Sequence, residues 1–253
     1  MTSSDADDAD TLVAPARASA PRDLGAAVIS GAGSGIGRAV ALALGKRGHP
    51  LVLLGRSAGP IDATLRVAGG KGIAVVADVR DVGAVQAAVE RARAAGFAPQ
   101  VVVPSAGIAR IAPFAELPPE TLRESIETNL LGALFLYRAC LPGLRERGGH
   151  LFALLSVAAK RGFPDWSAYC ASKWGLRGAV AALREELAGS DVRLTEIYPG
   201  ATDSPLWEGV PGEWNRASMI SPEAVAKAIV WALEADPTAS VEEIHLQPRG
   251  GNL

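Results

Sequence analysis

The chain has 253 residues, 49% of them hydrophobic, and a formal net charge of −2. That length and apolar share suit one α/β domain with a substantial core, and the near-neutral charge argues against a nucleic-acid-binding or membrane-surface protein. Two cysteines, Cys140 and Cys170, argue against a disulfide scaffold, three scattered histidines offer no metal-ligand spacing, and no apolar run reaches the length of a membrane span.

Residues 1–23 are acidic, then rich in Ala and Pro, and lack the basic start and apolar centre of a signal peptide. They predict a disordered N-terminal tail ahead of a single domain over 24–253, with a cytoplasmic location as the default. The first strand is expected at 26–30, followed by "SGAGSGIG", Ser30 to Gly37, and a helix over 35–47. Glycine stands at every second position, at Gly31, Gly33, Gly35 and Gly37, and the usual G-x-G-x-x-G spacing is absent. A glycine turn between strand and helix aims unpaired N–H groups and the positive end of the helix dipole at a phosphate. Ser34 and Ile36 complete that loop.

The second strand, 51–54, leads into Gly55 and Arg56, with no Asp or Glu anywhere between Asp23 and Asp62. An acid here would hold the ribose hydroxyl of NAD, whereas an arginine suits a 2′-phosphate, so NADP(H) is preferred over NAD(H). After a helix at 60–68 and a third strand at 73–77, Asp78 can serve an adenine amino group or cap the helix over 82–95. A fourth strand at 100–103 and an irregular stretch at 104–118 precede one long helix, 119–147. The fifth strand, 150–156, ends at Ser156, at the sheet's carboxyl edge where α/β proteins bind ligands.

The helix over 167–189 carries Tyr169 and Lys173, four apart and so on one face. An adjacent ammonium would stabilise the phenolate and lower the Tyr169 pKa, fitting it to exchange a proton with a carbonyl or alcohol oxygen held by Ser156. A sixth strand at 192–197, a long irregular segment at 199–220, a helix at 221–234 and a last strand at 241–246 complete the chain. The strands are near-continuous apolar runs alternating with helices, which predicts a doubly wound parallel sheet with helices on both faces.

Together these motifs resemble the single-domain short-chain dehydrogenases/reductases, from about residue 24 to the C-terminus. The family's T-G-x-x-x-G-I-G loop appears as Ser30 to Gly37, with Gly31, Gly35 and Gly37 in the working positions and Gly33 as an extra permissive one. The resemblance implies that Asp78 and Val79 lie at the adenine, and that Ala106 and Gly107 allow close approach to its ribose. It implies that Tyr169 transfers the proton, Ser156 positions the substrate oxygen, Lys173 binds the nicotinamide ribose, and Asn129 helps a water extend the relay. Pro199, Gly200 and Thr202 would line the nicotinamide side. It also implies strand order 3-2-1-4-5-6-7 and a homotetramer or homodimer paired through the helices containing Asn129 and Tyr169. One departure is Pro104-Ser105 where the family has two asparagines, with some local loss of stability expected because proline lacks an N–H.

Substrate-side candidates are Phe163, Pro164 and Trp166, then Ile108 and Arg110, and Leu206, Trp207, Val210, Trp214 and Met219 in the long loop. These aromatics predict an apolar or aromatic carbonyl substrate under a mobile loop, or else pack the loop or a subunit contact. Arg110 or Arg161 could meet a carboxylate or an acyl-carrier phosphate. The expected activity is NADP(H)-dependent carbonyl reduction or alcohol oxidation. A 3-oxoacyl reductase acting on a carrier-bound chain is the alternative within that chemistry, and a non-catalytic NADP(H)-sensing protein the alternative outside it.

Overall fold

The apolar runs become seven parallel strands: β1 (Ala26–Ser30), β2 (Leu51–Gly55), β3 (Gly72–Val76), β4 (Pro99–Pro104), β5 (Gly149–Leu154), β6 (Val192–Pro199) and β7 (Glu243–Leu246). The computed structural model describes residues 24–251, so the tail expected over 1–23 lies outside the described residues. The sheet order is β3-β2-β1-β4-β5-β6-β7, as the resemblance implied.

The helices are α1 (Gly35–Gly45), α2 (Ala58–Val67), α3 (Val82–Ala94), α4 (Pro119–Ile126), α5 (Gly132–Arg147), α6 (Ser167–Glu186) and α7 (Pro222–Leu233). Val28, Val52 and Val102 pack against Val85, Leu136 and Leu176 of α3, α5 and α6 on one face of the sheet. Ile29, Leu53 and Val103 pack against Val40, Ile61 and Ile229 of α1, α2 and α7 on the other. Burial on both faces is why these strands read as unbroken apolar runs. A third, smaller cluster sits apart from both: Ala109, Ala158, Tyr169 and Val210, with Phe163, Trp166, Trp207 and Trp214 against it.

The long helix expected over 119–147 is interrupted. Glu127–Leu131 forms a π-turn in which the Gly132 N–H reaches back to the Glu127 carbonyl, and α4 and α5 flank it. Asn129 lies in this turn, and π-bulges recur at functional sites. β5 also stops at Leu154, so Ser156 lies just beyond the strand and opens a short 3-10 turn, Val157–Ala159.

The anticipated weakness at Pro104 has no structural basis. Ser105 donates its N–H to the Ser30 carbonyl at 3.2 Å, so alternate residues face β1 and the missing Pro104 N–H faces β5. The β4–β5 ladder has already ended at Val102↔Leu151, two residues earlier. The proline therefore sits where β4 and β5 have stopped pairing, beside the β1–β4 switch point where doubly wound sheets bind ligands.

The segment over 199–220 is a formed loop. Thr202 bridges to Ile220, the Asp203 N–H reaches the Ile220 carbonyl at 2.8 Å, and Asp203 pairs with Arg216. Two 3-10 turns, Pro205–Gly209 and Arg216–Ser218, occupy its middle. Among the described residues no helix is long and apolar enough to cross a membrane.

Candidate active site

A cavity of about 700 Å³ runs along the carboxyl edge of the sheet, from Arg56 and Asp78 at one end to Trp207 and Trp214 at the other. That volume lies within the range of small-molecule and cofactor pockets. Its floor begins with the glycine loop, where Gly31, Ser34, Gly35 and Ile36 face the space.

Gly31 has φ +65°, a left-handed turn that a side chain would strain. Gly37 fills a different role. A Cβ there would lie 2.5 Å from the Gly31 carbonyl oxygen, so only glycine lets α1 pack onto the turn. Neither Gly33 nor Gly37 faces the cavity, which corrects their assignment as contact residues. Gly33 is also no spare position, since its Cβ would lie 2.8 Å from the Pro60 Cβ. Ser34 is the N-cap residue of α1 but makes no side-chain cap, and the first turn holds no acid. The helix thus offers its terminal N–H groups and dipole to the cavity without a side chain competing for them.

At the far end of this floor Arg56 is exposed and faces the cavity with Asp78, Val79 and Arg80. Arg80 meets both carboxylate oxygens of Asp78, donating to Oδ2 at 2.6 Å through Nη2 and to Oδ1 at 3.1 Å through Nε. That hydrogen-bonded pair holds the Asp78 carboxyl below its usual range, with Arg56 adding a smaller charge effect in the same direction. The helix-cap reading of Asp78 is overturned. Asp81 caps α3 instead, accepting from the N–H groups of Gly83 and Ala84 at 2.9 and 3.0 Å. Arg80 was missed in the sequence, although its place two residues after Asp78 was the available signal. Ala106 and Gly107 line the next stretch of wall, where the Ala106 N–H meets the Ser30 hydroxyl at 3.3 Å.

The reacting groups gather at mid-cavity. Ser156, Tyr169 and Lys173 all line it, as do Pro199, Gly200 and Thr202. Tyr169 and Lys173 are buried on α6, with Nζ 5.8 Å from the centre of the phenol ring. The Lys173 ammonium donates to the Leu154 carbonyl at 2.8 Å. Burial pushes Lys173 down to about 8. Burial also pushes the Tyr169 hydroxyl up to about 12, against a smaller lowering by Ser156. The lowering of Tyr169 by Lys173 expected from the helix spacing is therefore not present in the protein's own groups: desolvation dominates, and what opposes it is the hydrogen bond to Ser156.

Asn129 does not reach the cavity. Its side-chain oxygen accepts from the Ile108 N–H at 2.8 Å, and its amide donates to the Ile108 carbonyl at 2.9 Å and the Ser172 hydroxyl at 3.0 Å. It ties the wall after β4 to α6, the helix of Tyr169, and so positions the cavity from behind.

On the remaining side Ile108, Phe163, Pro164, Trp166, Leu206, Trp207 and Trp214 line the space as expected, whereas Val210 and Met219 are buried behind it. Arg110 and Arg161 do not line it. Arg110 faces Glu124, 3.9 Å away, and Arg161 lies over the Phe163 ring at 4.6 Å. Among the described residues no group of three or more His, Cys, Asp or Glu could hold a metal ion.

The arrangement fits a dinucleotide lying along the edge: a glycine turn at a helix N-terminus in the middle, two arginines at one end, and a buried Tyr–Lys pair beside Ser156 at the other. Comparisons with known proteins point the same way. The sequence profile of the short chain dehydrogenases matches residues 25–213. The chain is 34% identical over 237 residues to a sepiapterin reductase of Chlorobaculum tepidum, covering 89% of this chain and 97% of that protein. An alcohol dehydrogenase from the archaeon Thermococcus sibiricus, solved with 5-hydroxy-NADP, superposes with TM-score 0.83 at 29% identity over 90% of this chain and 97% of that one. Actinorhodin polyketide ketoreductase with NADPH superposes with TM-score 0.82 at 26% identity, over 93% and 100%.

Proposed function

The chain is an oxidoreductase of the short-chain dehydrogenase family, and on that footing we propose that it reduces carbonyl compounds with NADPH. The observation that carries this reading is the convergence of Ser156, Tyr169 and Lys173 on one cavity with the glycine loop. The known structures with NADP and NADPH bound support the choice of cofactor, and so do Arg56 and Arg80 with no acid at the end of β2.

In this reading Gly31, Ser34, Gly35 and Ile36 hold the pyrophosphate through backbone N–H groups, and Arg56 takes the 2′-phosphate. Asp78 and Val79 border the adenine, Ala106 and Gly107 its ribose, and Pro199, Gly200 and Thr202 the nicotinamide. When bound, the cofactor supplies the hydride that the carbonyl carbon receives. The chain's residues supply the rest. Ser156 holds the carbonyl oxygen. Tyr169 Oη, kept protonated by its burial, gives that oxygen its proton as the bond order falls. Lys173, poised at about 8, returns a proton to the phenolate near neutral pH and steadies it in the meantime. Asn129 keeps α6 and the cavity wall in register. The sheet, its helices and the loop over 199–220 act as one domain spanning 24–253, and assembly as a homotetramer or homodimer in the cytoplasm completes the reading. Half-exposed Trp174 on α6 offers apolar surface for such a contact.

Incubation with NADPH and a broad panel of ketones and aldehydes, followed by the loss of NADPH absorbance, tests this directly. Turnover of apolar or aromatic carbonyls supports the reading. Tight NADPH binding with no turnover across the panel supports a sensing protein instead. The likeness to a polyketide ketoreductase favours a second reading, a carrier-bound 3-oxoacyl substrate, which predicts a strong preference for thioester-linked substrates over free ketones.

A further inference from the structure

The substrate end of the cavity is built of ring faces. Three of the chain's five tryptophans line it, Trp166, Trp207 and Trp214, together with Phe163. The rings run in an unbroken series. Trp166 stands edge-on to Tyr169 at 5.6 Å and to Trp207 at 5.8 Å, and Trp207 meets Trp214 at 4.9 Å. The three tryptophans are each only half-buried, so ring surface is left facing the space. The Trp214 indole N–H is spent on the Pro211 carbonyl at 3.1 Å, which leaves π surface rather than a donor on that wall.

On the substrate side of Tyr169 and Lys173 a single charged residue lines the cavity, the carboxylate Asp165. It has φ +67°, and its carbonyl accepts the Ala112 N–H at 3.1 Å, which fixes it at the mouth. Outside the lining, the loop over 199–220 holds three exposed carboxylates, Asp203, Glu208 and Glu213, and one arginine, Arg216. Arg216 is paired with Asp203, and Glu208 and Glu213 have no ion pair among the described residues. One ring of the wall already holds a cation, since the Arg161 guanidinium lies over Phe163.

Aromatic faces beside a carboxylate attract cations, both by the ring quadrupole and by the local field. We propose that the substrate is a carbonyl compound carrying a positively charged amine, with the amine against Trp166, Trp207 and Trp214 near Asp165 and the carbonyl at Ser156 and Tyr169. This rests on the carbonyl-reductase reading and adds the charge class of the substrate. It also disfavours anionic chains, for which no lining cation is available at this end.

Three ring ketones of similar size test it: the permanent cation 1,1-dimethyl-4-oxopiperidinium, its neutral isostere 4,4-dimethylcyclohexanone, and the anion 4-oxocyclohexanecarboxylate. Binding is read by tryptophan fluorescence in the full-length Tyr169→Phe protein loaded with NADP, which needs no turnover. Reduction of the same ketones is followed in the unsubstituted protein. The expected result is binding of the cation at least about threefold tighter than the neutral ketone, the order one exposed cation–π contact gives, with the anion weakest. Asp165→Asn should reduce the cation's advantage and leave the neutral ketone unchanged. Asparagine tolerates the same positive φ, so the backbone is kept. A cation advantage below threefold, an anion that binds tightest, or a preference that Asp165→Asn leaves intact overturns the proposal. Failure of turnover with all three ketones while the binding order holds counts against the reductase reading and not against the charge class.

Discussion

At the glycine-loop end, the cavity wall is backbone and small side chains, with Gly31, Gly35 and Ala106 against the space and charge supplied by Arg56, Asp78 and Arg80. At the aromatic end the wall is four large rings brought from two segments, 163–166 and 207–214, and held in a small cluster apart from the two main cores. The first end is fixed by the sheet and by helix α1, and its geometry tolerates one residue type at each critical place. The second is fixed by side chains packing on one another, where many substitutions preserve the packing and alter what fits. An end of the first kind suits a shared ligand, and an end of the second kind suits a particular one.

Tyr169 lies where the two ends meet, and its removal should have the largest effect. Tyr169→Phe is expected to lower kcat by about a hundredfold or more while leaving NADPH affinity unchanged, because it deletes the proton and not the binding surface. Steady-state kinetics beside a fluorescence titration checks both halves. Arg56→Asp isolates the glycine-loop end. It should lower kcat/KM for NADPH relative to NADH by about tenfold or more, the scale of one or two charge-assisted hydrogen bonds, with the KM of the ketone unaffected. An unchanged cofactor ratio would remove Arg56 from the site.

Trp207→Ala isolates the other end. It should raise the KM of an aromatic ketone roughly three- to tenfold and leave the KM of NADPH alone, since one ring of an edge-to-face series is lost. If Arg56→Asp disturbed the ketone, or Trp207→Ala the cofactor, the two ends would be one site and the contrast would fail.

The smallest effect concerns neither end but the sheet. His150 on β5 is buried against Phe152, with Nε2 2.8 Å from the Thr195 hydroxyl. Thr195 gives its own proton to the Val241 carbonyl, so Nε2 is the donor and Nδ1 lies buried without a partner among the described residues. Burial lowers the His150 pKa from 6.5 to about 3. Below 6.5 the unfolded chain takes up a proton that the folded one refuses, so stability falls as pH drops through this window, by about 1.4 kcal/mol per unit. His150→Leu should flatten that slope between pH 6.5 and 4.5 in urea melts, with activity at neutral pH kept.

The same contrast explains what could be read without coordinates. The glycine turn and the Tyr169–Lys173 face follow from local patterns of a few residues and were legible directly, and the sheet order was legible through the family resemblance those motifs carry. What escaped depends on how the chain folds locally and on burial. Arg80 stands only two residues after Asp78, and the turn after β3 is what brings its guanidinium onto the carboxylate. The break at Asn129 required a π-turn that no spacing announces. The pKa of Tyr169 was misjudged in sign because spacing shows the neighbour and not the depth of burial. Arg110 and Arg161 were candidates by proximity in sequence, yet fold away from the cavity.

The most direct test of the central claim follows the hydride itself. The protein is supplied with NADPH deuterated on the transferred position of its nicotinamide and an aromatic ketone, and the alcohol is examined by mass spectrometry. The account predicts an alcohol with deuterium on the former carbonyl carbon, formed more slowly, by about a hundredfold or more, with Tyr169→Phe. NADPH bound with no alcohol formed from any carbonyl offered, or labelled alcohol formed equally well without the Tyr169 hydroxyl, would contradict it.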